Sequence, residues 1–155
     1  MNVFISYCKI SKMINYIIDM NTLIPKSYYC CIHFNNTMAK AVITADEYCV
    51  VHPISNLIDN AVKYTNQGDV TLKLYRNDEG LISLDVADTG IGISEEFISE
   101  IFRPFVQEDH GSTRRYEGIG LALAITQRLL TAIHATISVK SNKGKGTTFT
   151  IKLPL

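Results

Sequence analysis

Residues 85–94 read DVADTGIGIS, an alternating apolar run that ends on Asp88 and opens into two glycines one residue apart. The alternation continues back through Ile82, Leu84 and Val86, so the run is a strand with one apolar face, and Asp88 shares that face. A carboxylate among apolar neighbours requires a donor, because an unpaired buried polar group costs on the order of a few kcal/mol. Backbone N–H groups of the turn Thr89-Gly90-Ile91-Gly92 could supply it, and the glycines alone say only that the turn needs permissive backbone. The rest of the chain decides between a plain turn and a binding turn.

Working outward, residues 69–76 and 81–88 read as two strands joined by Asn77-Asp78-Glu79-Gly80, a hairpin signal. Val50, Ile54, Leu57, Ile58, Ala61 and Val62 make a helical stripe that ends before Gln67-Gly68. Upstream, Ile10, Met13, Ile14, Ile17 and Ile18 predict a helix that ends before Pro25. Residues 28–34 and 41–44 follow as two short strands joined by the turn-prone Asn35-Asn36. Residues 1–9 carry no pattern and read as a ragged segment. Downstream, Ser94-Glu95-Glu96 starts a short helix that finishes near Phe102. Residues 106–117 are polar and aperiodic, as in a mobile loop, and Gly118 and Gly120 lead into an apolar helix over 121–133. Ala135–Val139 and Thr147–Leu153 close the chain as strands around the turn KSNKGKG.

The bulk composition narrows the function classes. A chain of 155 residues, 46% hydrophobic, suits one domain, assigned to residues 10–155. Fifteen basic and fifteen acidic side chains cancel, so nothing suggests a nucleic-acid partner or a direct membrane contact drawn by charge. Cys8, Cys30, Cys31 and Cys49 lack metal-site spacing and read as free thiols of a reducing, cytoplasmic compartment. The apolar runs are interrupted well short of the roughly 20 residues a membrane helix needs, although a longer parent protein could be anchored.

Polar residues recur where apolar ones would be expected. His52, Asn56, Asn60 and Lys63 are spaced by 4, 4 and 3 residues and share one helix stripe. Exposed faces usually carry Glu and Lys; stacked neutral amides instead offer hard oxygens suited to magnesium, and a lysine one turn on suits phosphate. Thr147 shares the parity of Phe149, Ile151 and Leu153, so a hydroxyl ends a second apolar row. Gly118 and Gly120 precede a helix whose free amides favour an anion. Two polar groups at the ends of apolar rows fit a mostly apolar ligand slot; the exocyclic amine of an adenine could donate to Asp88 as well as the turn's own backbone, and the Gly118–Gly120 loop could equally serve packing. The common phosphate loops and the nucleophile elbow are absent from the sequence.

Taken together, the motifs resemble the catalytic and ATP-binding domain of histidine kinases, within the superfamily of DNA gyrase B, heat-shock protein 90 and MutL. NLIDNAVKYT at 56–65 resembles the N box, DTGIGI at 88–93 the first glycine box and FRPF at 102–105 the F box. GIGLALAI at 118–125 resembles the second glycine box, and GKGTTFTIKLP at 144–154 the closing strands. The F box favours the histidine kinases over the other branches.

The resemblance implies an α+β fold of Bergerat type, a two-layer sandwich of a mixed, largely antiparallel sheet with helices on one face. It implies Mg-ATP as cofactor, with Asn60 on the metal, Asn56 beside metal and phosphates, Lys63 on phosphate and Tyr64 along the adenine. Asp88 would accept from the adenine amine and Thr147 would orient the base, partly through water. Gly90 and Gly92 would let the chain pass close to the nucleotide, and Gly118, Gly120 and Leu121 would meet the phosphates under a lid at about 106–117. Superfamily members that hydrolyse ATP carry a glutamate four residues before the metal asparagine. Here that residue is Asn56, which is no base at neutral pH, favouring transfer to a protein histidine.

Three features depart from the family pattern. Ala122 stands where a third glycine is usual, and Pro53 falls inside the expected long helix, so that the helix either starts there or kinks. His33, His52, His110 and His134 all lack the acceptor signature of histidine, acidic residue, Arg or Asn, and Pro. His33 and His134 read as structural, His110 as a lid contact and His52 as part of the helix face. The implied partner is therefore a helical dimerisation and histidine phosphotransfer domain, of the same parent chain or in trans, with a response regulator served indirectly. The alternative is a nucleotide-sensing or interaction module that kept the fold and lost transfer; relatives that phosphorylate serine on anti-sigma partners are a third reading.

Overall fold

The computed structural model describes residues 5–21, 29–108 and 120–154. Its elements are β1 (Ile5–Lys9), α1 (Ile10–Asn21), β2 (Tyr29–Asn36), β3 (Val42–Asp46), α2 (Glu47–Tyr64) and β4 (Gln67–Arg76). They continue with β5 (Ile82–Asp88), α3 (Glu95–Ile98), α4 (Ala122–Ala132), β6 (Thr136–Asn142) and β7 (Gly146–Leu153).

Five strands form one sheet in the order β2-β4-β5-β7-β6, and only the β2/β4 pair is parallel. The sheet is therefore mixed and largely antiparallel, as expected. Register builds its apolar face in rows across the strands: Leu72 opposite Val86 opposite Phe149, and Leu74 opposite Leu84 opposite Ile151. Those side chains are buried in one cluster with Ile14 and Ile17 of α1, Ile54, Leu57 and Ile58 of α2, and Leu130 of α4. The hairpin at 77–81 closes as the sequence suggests, with the Leu81 N–H donating to Asn77 Oδ1 at 2.9 Å and Gly80 at φ +80°.

The N-terminal region departs from the sequence reading. Residues 5–9, expected to be ragged, form β1 and pair antiparallel with β3, placing Cys8 opposite Ile43. Cys8 and Ile43 are both buried while Tyr7 is exposed, an alternation too short to register as a pattern. β2 and β3 do not pair with each other. After Asn36, whose Oδ1 accepts the Met38 N–H at 2.9 Å, the chain turns out of the large sheet, and Ala41 accepts from Ile10 N at 2.9 Å.

α2 starts at Glu47 and runs through Pro53, neither beginning there nor ending. Asp46 caps it by accepting the Tyr48 N–H at 2.9 Å, while Glu47 in the first turn and Lys63 in the last complement the helix dipole. An interior proline costs about 3 kcal/mol because it cannot donate to the carbonyl four residues back. Pro53 is itself buried beside Ile54, Leu57 and Ile58, and burying each such aliphatic contributes about 2 kcal/mol, which offsets the loss.

Candidate functional site

Asp88 ends the core row of β5 and pairs with Val70 on one side and Thr147 on the other. Ile82, Leu84 and Val86 behind it are buried, whereas Asp88 is half-buried at the rim of a cavity. Its Oδ1 accepts the N–H of Gly90 at 2.8 Å and of Thr147 at 3.3 Å. Burial pushes its carboxyl above the usual range, and those two backbone donors pull it only part of the way back. Thus the turn satisfies one oxygen while the carboxylate as a whole remains at the cavity wall.

The glycines of this turn serve backbone packing. A Cβ on Gly90 would lie 2.2 Å from the Tyr64 carbonyl oxygen, which also accepts the Ile91 N–H at 3.2 Å. Gly92, at φ +64°, would put a Cβ 2.0 Å from the Asn142 carbonyl oxygen. The turn is thereby clamped between the end of α2 and the β6–β7 turn, which fixes Asp88 beside the C-terminal end of α2. Gly92 lines the cavity, and Gly90, beside Asp88, is the residue at which the turn packs on the end of α2.

The cavity, about 470 Å³, runs along α2 and is lined by His52, Asn56, Asn60, Lys63 and Tyr64. All five lie on one face of the helix, spaced as the sequence stripe requires. Lys63 Nζ sits 5.4 Å from the centre of the Tyr64 ring. Asn56 Nδ2 donates to Thr126 Oγ1 of α4 at 3.2 Å, which ties the two helices together beside the cavity. His52 stacks obliquely on Tyr48, ring centres 5.0 Å apart, and its buried Nδ1 has no hydrogen-bond partner among the described residues.

The opposite wall is the start of α4. Gly120, Leu121, Ala122 and Leu123 line the cavity, and Leu121, at the N-cap, makes no side-chain capping bond. The first amides of α4 thus receive no side-chain cap from Leu121, and helix-start amides of this kind favour an anion. Phe105, exposed and in the left-handed region at φ 64°, donates its N–H to Gly120 O at 2.9 Å and so fixes the entry to this turn. Glu108 lines the same region; its Oε1 accepts the Ser94 N–H at 3.2 Å and its Oε2 pairs with Lys143 at 2.9 Å. Burial raises the Glu108 carboxyl, but Lys143 and Ser94 outweigh it and hold the group below its ordinary value. Gly118, His110 and most of the expected lid, residues 109–117, lie outside the described residues.

Thr147, 6% exposed, lines the cavity beside Asp88, and its Oγ1 meets Ser141 Oγ at 2.8 Å. Ser141, Thr126 and Glu108 are functional candidates that the sequence reading missed. Ser141 falls in a stretch that reads as turn, whereas β6 extends to Asn142, three residues beyond its expected end. Thr126 has a signal, a polar residue on the buried face of an apolar helix. No group of three or more His, Cys, Asp or Glu among the described residues could hold a resident metal ion.

A family model described as histidine kinase-, DNA gyrase B-, and HSP90-like ATPase matches residues 45–155. The chain is 39% identical over 118 residues to the autoinducer 2 sensor kinase/phosphatase LuxQ of Vibrio parahaemolyticus, covering 73% of this chain and 14% of LuxQ. It is 41% identical over 102 residues to the sensor histidine kinase RcsC of Escherichia coli, covering 66% of this chain and 11% of RcsC. The chain thus spans a small part of the length of these relatives. Full-length ShkA in complex with AMPPNP superposes with a TM-score of 0.86 at 28% identity, covering 99% of this chain and 32% of that one. The mycobacterial sensor histidine kinase MprB shares the fold, with a TM-score of 0.78 at 21% identity over 97% of this chain and 99% of that one. Among the described residues no helix is long and apolar enough to cross a membrane.

Proposed function

Since the chain belongs to the histidine kinase-, DNA gyrase B-, and HSP90-like ATPase family, we propose that it is the ATP-binding catalytic domain of a sensor histidine kinase. In this reading it transfers the γ-phosphoryl group of ATP to a histidine on a helical dimerisation domain, within its parent chain or in trans. A response regulator would then draw on that phosphohistidine. The domain would act in the cytoplasm.

The observation that carries the reading is one cavity with two chemically different ends. Asp88 and Thr147 stand at one end, as needed for a base with an exocyclic amine. Asn56, Asn60 and Lys63 of α2 line the same cavity as the first residues of α4, as needed for phosphates. ShkA, a relative at 28% identity, is seen in complex with AMPPNP, an ATP analogue, which favours the same ligand class here.

Phosphoryl transfer asks mainly for positioning and charge neutralisation. The β–γ bridging P–O bond breaks as a P–N bond forms to the acceptor imidazole, which gives up its N–H proton, and ADP leaves. Lys63 and the α4 amides would hold the phosphates. The site offers neutral amide oxygens rather than a carboxylate cluster, which fits a magnesium ion delivered with the nucleotide better than a resident one. Asn60 would hold that ion, with Asn56 beside it, and the ion would neutralise phosphate charge. Asn56 cannot remove a proton from water, so slow hydrolysis accompanies this arrangement.

Calorimetry of ATP binding with and without magnesium tests the site, and Asn60→Ala should erase the difference between the two. Incubation with γ-labelled ATP and a histidine-bearing helical domain tests transfer. A protein that binds Mg-ATP but labels no such partner would instead fit a nucleotide-sensing module, a reading that the methyl of Ala122 at the start of α4 favours.

A further inference from the structure

Ser141 lies opposite Thr147 in the β6–β7 ladder. Its Oγ is 2.8 Å from the Gly146 carbonyl oxygen and 2.8 Å from Thr147 Oγ1, and it receives the Ile93 N–H at 2.8 Å. A hydroxyl carries one proton and two lone pairs. The Gly146 carbonyl cannot donate, so the Ser141 proton goes to it. The Ile93 N–H fills one Ser141 lone pair. The contact with Thr147 is then attractive only if Thr147 gives its own proton to the second lone pair. Ser141 is thereby saturated, and Thr147 presents only lone pairs to the cavity it lines.

Asp88 stands directly across the β5–β7 ladder from Thr147, with its Oδ1 already accepting two backbone N–H groups. Ionised, it too can only accept. The polar pair at this end of the cavity therefore consists of acceptors alone.

We propose that Ser141 is a positioning residue for base specificity: by holding the Thr147 proton, it makes this end of the cavity accept only. The site then takes a purine nucleotide whose exocyclic amine supplies both hydrogens to the pair, and rejects one with a carbonyl oxygen at that position. This inference rests on the reading of the cavity as a nucleotide site. A 6-oxo base would set its own lone pairs against Asp88 and Thr147, and buried polar groups left unpaired in this way are what give hydrogen-bonding sites their large discrimination.

ATP and ITP differ in this substituent and are the probes, with binding measured by calorimetry on the whole chain. The wild type should bind ATP at least about 100-fold tighter than ITP. In Ser141→Ala the Thr147 hydroxyl is free to rotate and donate to a 6-oxo group, so the ratio should narrow by about 10-fold. Ser141→Thr, which keeps a hydroxyl, should restore the wild-type ratio. Thr147→Val should narrow the ratio as well, and adding Ser141→Ala to it should change the ratio no further, because Ser141 acts through Thr147. Should Ser141→Ala not fold, Ser141→Cys, with a weakly donating thiol, takes its place with the same expectation. A folded Ser141→Ala or Ser141→Cys variant with an unchanged ATP:ITP ratio, or a wild type that binds both alike, overturns the role of Ser141. A wild type that binds neither nucleotide overturns the nucleotide site itself, a different and separable result.

Discussion

Asn56 of α2 and Thr126 of α4 are joined by a hydrogen bond of 3.2 Å, the amide donating to a hydroxyl that is itself wholly buried. The bond does two things at once. It fixes the orientation of the amide by committing one of the two Nδ2 hydrogens to Thr126, and it holds α4 against the stripe that carries Asn60 and Lys63. Thr126→Val keeps the shape and removes the acceptor. Because Asn56 also faces the open cavity, water can replace the lost partner, so stability should change by no more than about 1 kcal/mol. ATP affinity should fall by about 3- to 10-fold as the Asn56 amide loses its fixed orientation. Calorimetry beside a thermal melt reads the two quantities, and an unchanged affinity would remove Thr126 from the site.

Asp88→Asn separates folding from binding. The substituted amide still offers an oxygen to the Gly90 and Thr147 N–H groups, so the turn at 88–92 should hold. Its other end is an NH₂ group, which meets the adenine amine donor to donor. A hydrogen bond to a charged group is lost, so ATP affinity should fall by about 10- to 100-fold, with the circular dichroism spectrum unaltered. Retention of full affinity in a folded variant would place the base elsewhere.

The same carboxylate sets a pH dependence. Burial raises its folded value above the ordinary carboxylate range, so the folded state holds this proton more tightly than the unfolded one. By linkage, its contribution to stability is fully present below the unfolded value and is lost as pH rises through the folded one. Asp88→Asn should cancel that loss in the ligand-free protein: urea midpoints of variant and wild type should diverge in the variant's favour across this window and run parallel above it. Nucleotide binding behaves oppositely, because only ionised Asp88 accepts. ATP affinity should weaken on acidification at a pH above that of an ordinary aspartate. Parallel urea midpoints through the whole window would contradict the raised value.

What the sequence revealed and what it hid have the same physical cause. Asp88 and Thr147 were legible because strand parity is strict over long strands, so a polar residue at the end of an apolar row stands out. Asn56, Asn60 and Lys63 were legible because α2 is long and its two faces differ. β1 was hidden because a strand of five residues carries too few alternations to stand out. The pairing of β2 with β4 in place of β3 was hidden because parallel pairing is set by contacts distant in sequence. Ser141 and Thr126 were missed for a related reason: each matters through a single partner, Thr147 or Asn56, brought to it by tertiary packing.

Gly90 marks where fold and site depend on one atom. An added Cβ would lie 2.2 Å from the Tyr64 carbonyl oxygen, 2.8 Å from the Tyr64 carbonyl carbon and 2.9 Å from Asp88 Oδ1. The first two are backbone at the end of a packed helix, so no side-chain rotation relieves the clash. In Gly90→Ala the turn must move off α2, which breaks the Ile91 to Tyr64 bond and carries Asp88 with it. Overpacking of this kind costs about 2–3 kcal/mol, and at about 2–4 °C per kcal/mol for a chain of this size the melting temperature should drop by roughly 5–10 °C. Gly80→Ala is the comparison, since Gly80 has φ +80° but an alanine methyl there would have nothing within 4 Å. It should lose only about 1 kcal/mol from strain and keep full ATP affinity, because its hairpin lies away from the cavity. Gly90→Ala should lose most ATP binding even at temperatures where it remains folded. If its affinity instead matches that of Gly80→Ala, the clamp on α2 is not what positions Asp88.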